Sequence, residues 1–203
     1  AVNNKVTLRP AFPTDWESIK IKNLKFGNNR ISLQMKRSGN KTKYIILPEF
    51  KNPFELKFDP VFPEGTRITS FSVNGNKVQS AEIQQSVSSL NLSWEVTGKT
   101  VIVVEHEGGI SALPHVPDPK PGDYAGGFRI LDTKYTDGVY TIQVEGVPGE
   151  EYEMQLWSAV KAESVEGAGL ISGEDGISTL KVVLEPAEAA FISKRILINL
   201  KAD

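Results

Sequence analysis

From residue 18 to the C-terminal end, apolar and polar residues alternate with a period of two, in short runs separated by turn signals. In "SIKIKN" Ile19 and Ile21 share one side and Lys20 and Lys22 the other, and in "RISLQMK" Ile31, Leu33 and Met35 oppose Ser32, Gln34 and Lys36. Successive side chains of a strand point to opposite faces, so these runs are half-buried β-strands. Further runs are "KYIIL" (43–47), "FELKF" (54–58), "RITSFSV" (67–73), "LNLSWEV" (90–96) and "TVIVVEH" (100–106). Gly27-Asn28-Asn29, Ser38-Gly39-Asn40, Asn74-Gly75 and Thr97-Gly98-Lys99 punctuate them as turns. No long segment carries a 3.6-residue apolar period. Short strands at this spacing predict an all-β chain built of antiparallel, immunoglobulin-like β-sandwiches.

The alternation stops once. "EGGISALPHVPDPKPGDYAGG" places Pro114, Pro117, Pro119 and Pro121 at near-alternate positions, which removes ladder donors and favours extended polyproline backbone. This predicts a Pro/Gly-rich linker over 111–127 between a sandwich at 1–110 and a smaller one at 128–203. A length of 203 residues accommodates two domains of about 100 residues. Charge divides the same way: Lys and Arg against Asp and Glu number 15 against 10 over residues 1–110, and 8 against 15 over 111–203. "GNNRISLQMKRSGNKTKYIIL" (27–47) also lines up with "TDGVYTIQVEGVPGEEYEMQLW" (136–157), and the four-proline segment "PEFKNPFELKFDPVFPEG" (48–65) supplies an extra loop in the first half. Two tandem units of related plan follow as an expectation.

Chemistry is thinly supplied. The absence of cysteine excludes disulfides, thiolate nucleophiles and Cys-based metal sites, and no apolar run of about 18 residues is present to span a bilayer. The two histidines are His106, in "EHE", and His115, among the prolines. On extended backbone Glu105 and Glu107 point opposite to His106, so the three cannot converge on one metal, and a solvated strand end is the reading for His106. No GxSxG elbow, Walker loop, GxGxxG or EF-hand loop occurs, and "SGEDG" (172–176) reads as a hairpin turn. Glycoside hydrolysis requires two carboxylates across a cleft; Glu145 and Glu153 are the pair weighed, against surface charge as the plainer account. No catalytic residue, metal or cofactor is therefore assigned.

Two binding signals remain. Lys20, Lys22, Lys25, Arg30, Lys36, Arg37, Lys41 and Lys43 form a basic cluster with only Glu17 nearby. With few aromatics among them and a net charge of -2 overall, the cluster predicts a solvated or docking face and no nucleic-acid partner. Pyranose rings stack on exposed indoles; Trp94 follows the inward positions of Leu90 and Leu92, whereas Trp157 shares its side with Gln155 and Glu153. Trp157 and Trp16 are thus the candidate carbohydrate-binding residues, with core packing the commoner fate of an indole.

The stretch "LRPAFPTDWESIKIKNLKFGNNRISLQMKR" (8–37) resembles the start of the C-terminal β-sandwich of bacterial six-hairpin, or (α/α)6-toroid, glycosidases. The matching residues are Leu8, Pro10, Phe12, Pro13, Trp16, Ile19, Ile21, Leu24 and Gly27. The resemblance covers about the first 50 residues and implies a non-catalytic region of a secreted, periplasmic or surface protein whose catalytic carboxylates lie in a barrel absent from this sequence. Phe12, Pro13 and Trp16 would then dock on that catalytic domain of the same polypeptide. The lack of an initiator Met at Ala1 fits a processed or excised piece. An independent polysaccharide-binding module and a bacterial surface or adhesion protein are the alternatives.

Overall fold

The computed structural model describes residues 5–49, 53–77, 92–114, 127–174 and 176–201; every regular element among them is a strand. Two compact units, Ala1–Glu107 and Gly108–Asp203, divide the chain.

In the first unit the strands are β1 (Lys5–Leu8), β2 (Ser18–Phe26), β3 (Asn29–Ser38), β4 (Lys41–Glu49), β5 (Phe54–Phe58), β6 (Glu64–Val73), β7 (Asn76–Lys77), β8 (Leu92–Val96) and the opening of β9 (Thr100–Pro114). One sheet runs β2-β3-β4-β9, with β6 on the far side of β9 and β7 paired to β6; the other is β1-β5-β8. The alternation explains the layering. Ile31, Leu33 and Met35 of β3, Tyr44 and Ile46 of β4 and Ile102 and Val104 of β9 face Phe54, Leu56 and Phe58 of β5 and Val96 of β8 in a single core. Edge-to-face aromatic contacts tie the two layers: Phe26 to Phe54 at 4.8 Å and Tyr44 to Phe58 at 5.1 Å. Each such pair adds roughly 0.5–1.5 kcal/mol beyond its buried area. At Asn74-Gly75, between β6 and β7, both turn residues have positive φ, the geometry that matches strand twist in a two-residue hairpin.

The second unit holds the end of β9 with β10 (Arg129–Thr136), β11 (Val139–Gly146), β12 (Glu151–Ser158), β13 (Ala162–Glu166), β14 (Gly169–Ser172), β15 (Ile177–Val183) and β16 (Ile192–Leu200). Its sheets are β10-β11-β16-β13 and β14-β15-β12-β9. Tyr140, Ile142, Val144, Ile196 and Ile198 from the first meet Ile110, Met154, Leu156, Leu180 and Val182 from the second. Two sheets around one core make each unit a β-sandwich arrangement.

Two expectations are corrected. The predicted linker starts too early: Ser111 to Pro114 continue β9 and pair with β12, and the unit boundary lies upstream of them. The strand runs 15 residues because Gly108 and Gly109, at φ 69° and 106°, let it change partner from β4 to β12 without ending. Residues 115–126 of that linker, His115 included, lie outside the described residues. Nor do the two aligned segments fold alike. Serial pairs such as Lys36 with Lys43 join β3 directly to β4 across a two-residue turn, whereas β11 and β12 belong to opposite sheets. The four-residue connection Val147-Pro148-Gly149-Glu150 bridges the layers, with Gly149 N–H donating to Leu184 C=O at 2.9 Å and Leu184 N–H to Glu150 C=O at 3.0 Å. Similar punctuation thus conceals a hairpin in one unit and an arch in the other.

Candidate functional site

Two features of the first unit stand out as surfaces. The first is the segment after β1. Its backbone continues alongside the exit of β5, with Asp59 N–H donating to Leu8 C=O at 3.0 Å, Val61 N–H to Pro10 C=O at 2.9 Å and a bridge between Ala11 and Val61. Phe12 packs on the first core, and Trp16 N–H closes a turn onto Pro13 C=O at 3.3 Å. Arg37 then clamps that turn. Its Nη1 donates to the carbonyls of Thr14 at 2.8 Å, Pro13 at 3.1 Å and Trp16 at 3.3 Å, while its backbone N–H donates to Glu17 C=O at 2.7 Å. Arg37 reaches there because it follows Ile31, Leu33 and Met35 on the inward side of β3 at the end of the strand, where the core gives way to this turn. Burial lowers the guanidinium pKa, opposed by Tyr44 and Asp15; burial likewise raises the Tyr44 phenol, with Arg37 acting against it. The outcome is a fixed backbone from which Trp16 projects with 45% of its surface exposed.

The second feature is a groove of about 370 Å³ across the outward face of β2, β3 and β4. Two rungs of the sheet line it: Ser18, Lys36 and Lys43 on one, Lys20, Gln34 and Ile45 on the next. Lys36 and Lys43 stand directly opposite one another, both exposed. Like charges in that position destabilise a sheet. Among the described residues no ion pair or hydrogen bond engages Lys20, Lys36 or Lys43. The rest of the basic cluster disperses: Lys41 pairs with Glu105 at 2.9 Å, Arg37 turns to the other side, and Lys25 and Arg30 sit on a rung with Glu49. Counting outward from the two-residue turn Gly39-Asn40 pairs 38 with 41, 37 with 42 and 36 with 43, so the facing lysines were encoded in the turn. Arg37 as a clamp had no such local signal, because its partners are 21 to 24 residues away.

The other singled-out residues fall as follows. Trp157 is half-buried between cross-strand neighbours Ser111 and Ile177, against the expectation that it is the more exposed indole. Trp94 is half-buried against the first core and meets Phe58 edge-to-face at 6.3 Å. His106 is no solvated strand end. It is 6% exposed, its Nε2 is 3.0 Å from Thr42 Oγ1, and its ring lies 5.3 Å from Phe62. Since β9 runs on past it, His106 follows Ile102 and Val104 inward. Burial and then the nearby Arg37 charge lower its pKa. Glu105 and Glu107 do point the other way, to Lys41 with Ser70 and to Arg67; hydrogen bonds from Lys41 and Ser70 depress the Glu105 pKa. Glu145 and Glu153 occupy outward positions on opposite sheets of the second unit, paired with Arg129 and with Lys181, so they do not converge. The strands on either side of "SGEDG", β14 and β15, are antiparallel neighbours with Ser172 paired to Ser178, and Asp175 lies outside the described residues. Among the described residues no group of three or more His, Cys, Asp or Glu is placed to hold a metal, and no helix is long and apolar enough to cross a membrane.

No family model and no curated protein matches this sequence. Among solved structures the chain is similar to a GH127 β-L-arabinofuranosidase from Geobacillus stearothermophilus T6, at 10% identity and a TM-score of 0.34 over 89% of this chain and 29% of that one. It is also similar to a protein described as a glycoside hydrolase, at 12% identity and a TM-score of 0.35 over 89% of this chain and 31% of that one. The chain spans under a third of the length of each.

Proposed function

We propose that this chain is a non-catalytic accessory region of a glycoside hydrolase, two immunoglobulin-like sandwiches that brace a catalytic domain of the same polypeptide outside the cytoplasm. The observation that carries the reading is the Arg37 clamp under Trp16. An exposed indole on backbone already ordered loses little further freedom when it is covered, and tryptophan is enriched among the few residues that dominate interfaces. Phe12 and Pro13 belong to the same mount, Phe12 as its root in the core and Pro13 as an acceptor for Arg37. The opening stretch that resembles the glycosidase sandwich is this same segment. Glu145 and Glu153, each engaged by a cation on opposite outward faces, support a role without its own sugar chemistry.

The test is association. The catalytic domain encoded with this chain, expressed separately, is expected to bind it in calorimetry and to raise its unfolding temperature. Trp16→Ala is expected to weaken that binding by about 30-fold, the loss of a roughly 2 kcal/mol anchor. A gene that encodes no catalytic domain beside this chain, or an affinity unmoved by Trp16→Ala, overturns the reading. The 45% exposure of Trp16 also favours a second reading, a carbohydrate-binding module with Trp16 as its stacking platform. That reading requires saturable binding of a neutral glycan, lost in Trp16→Ala and retained in Trp157→Ala.

A further inference from the structure

We infer that the groove on β2, β3 and β4 binds an anionic sugar unit, one carrying a carboxylate or a sulfate. Its charge arrangement is the starting point. Lys36 and Lys43 are placed opposite each other with Lys20 one rung away, and none of the three has a partner among the described residues. The same sheet pairs Lys41 with Glu105, two residues from Lys43, whereas no carboxylate lines the groove. A local rule broken without internal compensation marks a functional site more often than a structural one. An anion between the two ammonium groups converts their repulsion into two charge-assisted hydrogen bonds.

The remaining lining selects the class of anion. Gln34 offers an amide and Ser18 a hydroxyl, the neutral donors and acceptors that sugar hydroxyls require, and Ile45 supplies an apolar floor for a C–H face. The volume, about 370 Å³, suits one or two sugar units. No aromatic ring lines the groove, which leaves nucleobases nothing to stack on and disfavours a nucleic acid. This site goes beyond the accessory role and shares no residue with the Phe12–Trp16 mount, so either can fail while the other stands.

Calorimetric titration of the whole chain with trigalacturonate, a sulfated trisaccharide, a neutral trisaccharide and a short oligothymidylate tests the inference. One or both acidic sugars are expected to bind with Kd below about 1 mM at low salt, and more weakly as salt is raised; which of them binds distinguishes carboxylate from sulfate. The double variant Lys36→Gln, Lys43→Gln is expected to lose about tenfold or more in affinity. It is also expected to melt no lower than the parent, since a repulsion is removed, while Lys57→Gln on the other sheet leaves affinity unchanged. Amide shifts on titration of the unaltered chain are expected to cluster at Gln34, Lys36, Lys43 and Ile45, a readout that needs no variant. Absence of binding by both acidic sugars to about 10 mM, equal binding of the neutral sugar, tighter binding of the oligothymidylate, or affinity unchanged in the double variant each overturns the assignment.

Discussion

Replacing Arg37 by alanine probes the clamp on which the accessory reading rests. Nη1 carries two N–H bonds and faces three carbonyls, so its contacts amount to about two hydrogen bonds, one of them shared. Charged donors contribute roughly 1.5–3 kcal/mol per bond, giving about 3–6 kcal/mol if every acceptor were left stranded. The Pro13 and Trp16 contacts are exposed and their carbonyls rehydrate, whereas the 2.8 Å contact to Thr14 is partly buried. The surviving loss is therefore about 2 kcal/mol, most of it at Thr14. In a unit of this size that lowers the unfolding midpoint by roughly 10 °C. Arg37→Lys is expected to fall between, because an ammonium can donate to the same carbonyls but is more strongly hydrated and sits on a more flexible stem. Calorimetric unfolding gives the magnitude, and hydrogen exchange gives the location: the Trp16 amide, whose acceptor is Pro13 C=O, is expected to exchange faster in Arg37→Ala while Leu33 and Ile46 in the core do not. A stability loss of less than about 0.5 kcal/mol, the range of surface substitutions that touch nothing, together with unaltered exchange at Trp16, refutes the clamp.

Two further outcomes follow from buried groups. His106 has a depressed pKa, so between its folded and unfolded values the unfolded chain binds the extra proton; stability is complete above the unfolded value of about 6.5 and is lost as pH falls through that window. Urea midpoints measured on both sides of it should diverge for the parent and converge for His106→Gln, and an imidazole resonance titrating at or above the ordinary histidine range contradicts the burial argument. Gly146 lies where an added Cβ meets Leu184 Cδ1 at 2.7 Å and Tyr152 Cε2 at 2.8 Å. Tyr152 is itself stacked on Phe128 at 4.5 Å and cannot swing freely, so Gly146→Ala is expected to destabilise the second unit by about 1–3 kcal/mol in thermal unfolding, and a neutral result dismisses the overpacking.

What was legible in the chain was whatever depends on neighbours. The alternation in "SIKIKN" and "RISLQMK" assigned inward and outward faces correctly, because the two-residue period is a property of extended backbone. What depends on pairing across the sequence was not legible. β1 pairs in parallel with β5 some 50 residues away, and no local pattern announces it. The Gly108-Gly109 step looks like a strand end and is a change of partner, which is why His106 read as a solvated terminus and proved to be core.

The two candidate surfaces fall on either side of that divide. The lysine groove follows a hairpin register countable from Gly39-Asn40, and one residue inserted in that turn is absorbed either as a longer loop, which keeps Lys36 opposite Lys43, or as a slip of β4 against β3, which separates them. The Trp16 mount depends on a contact from Arg37 across more than 20 residues, so the same insertion leaves its chemistry intact only if the inward face of β3 keeps its place. Since a one-residue slip in β4 exchanges Tyr44 and Ile46 for Lys43 and Ile45 at the core, packing opposes that slip far more strongly than the lysine repulsion favours it. The facing lysines are thus held in opposition by the core beneath them. Their repulsion is too small to reset the register, and an arriving anion finds both ammonium groups already in place.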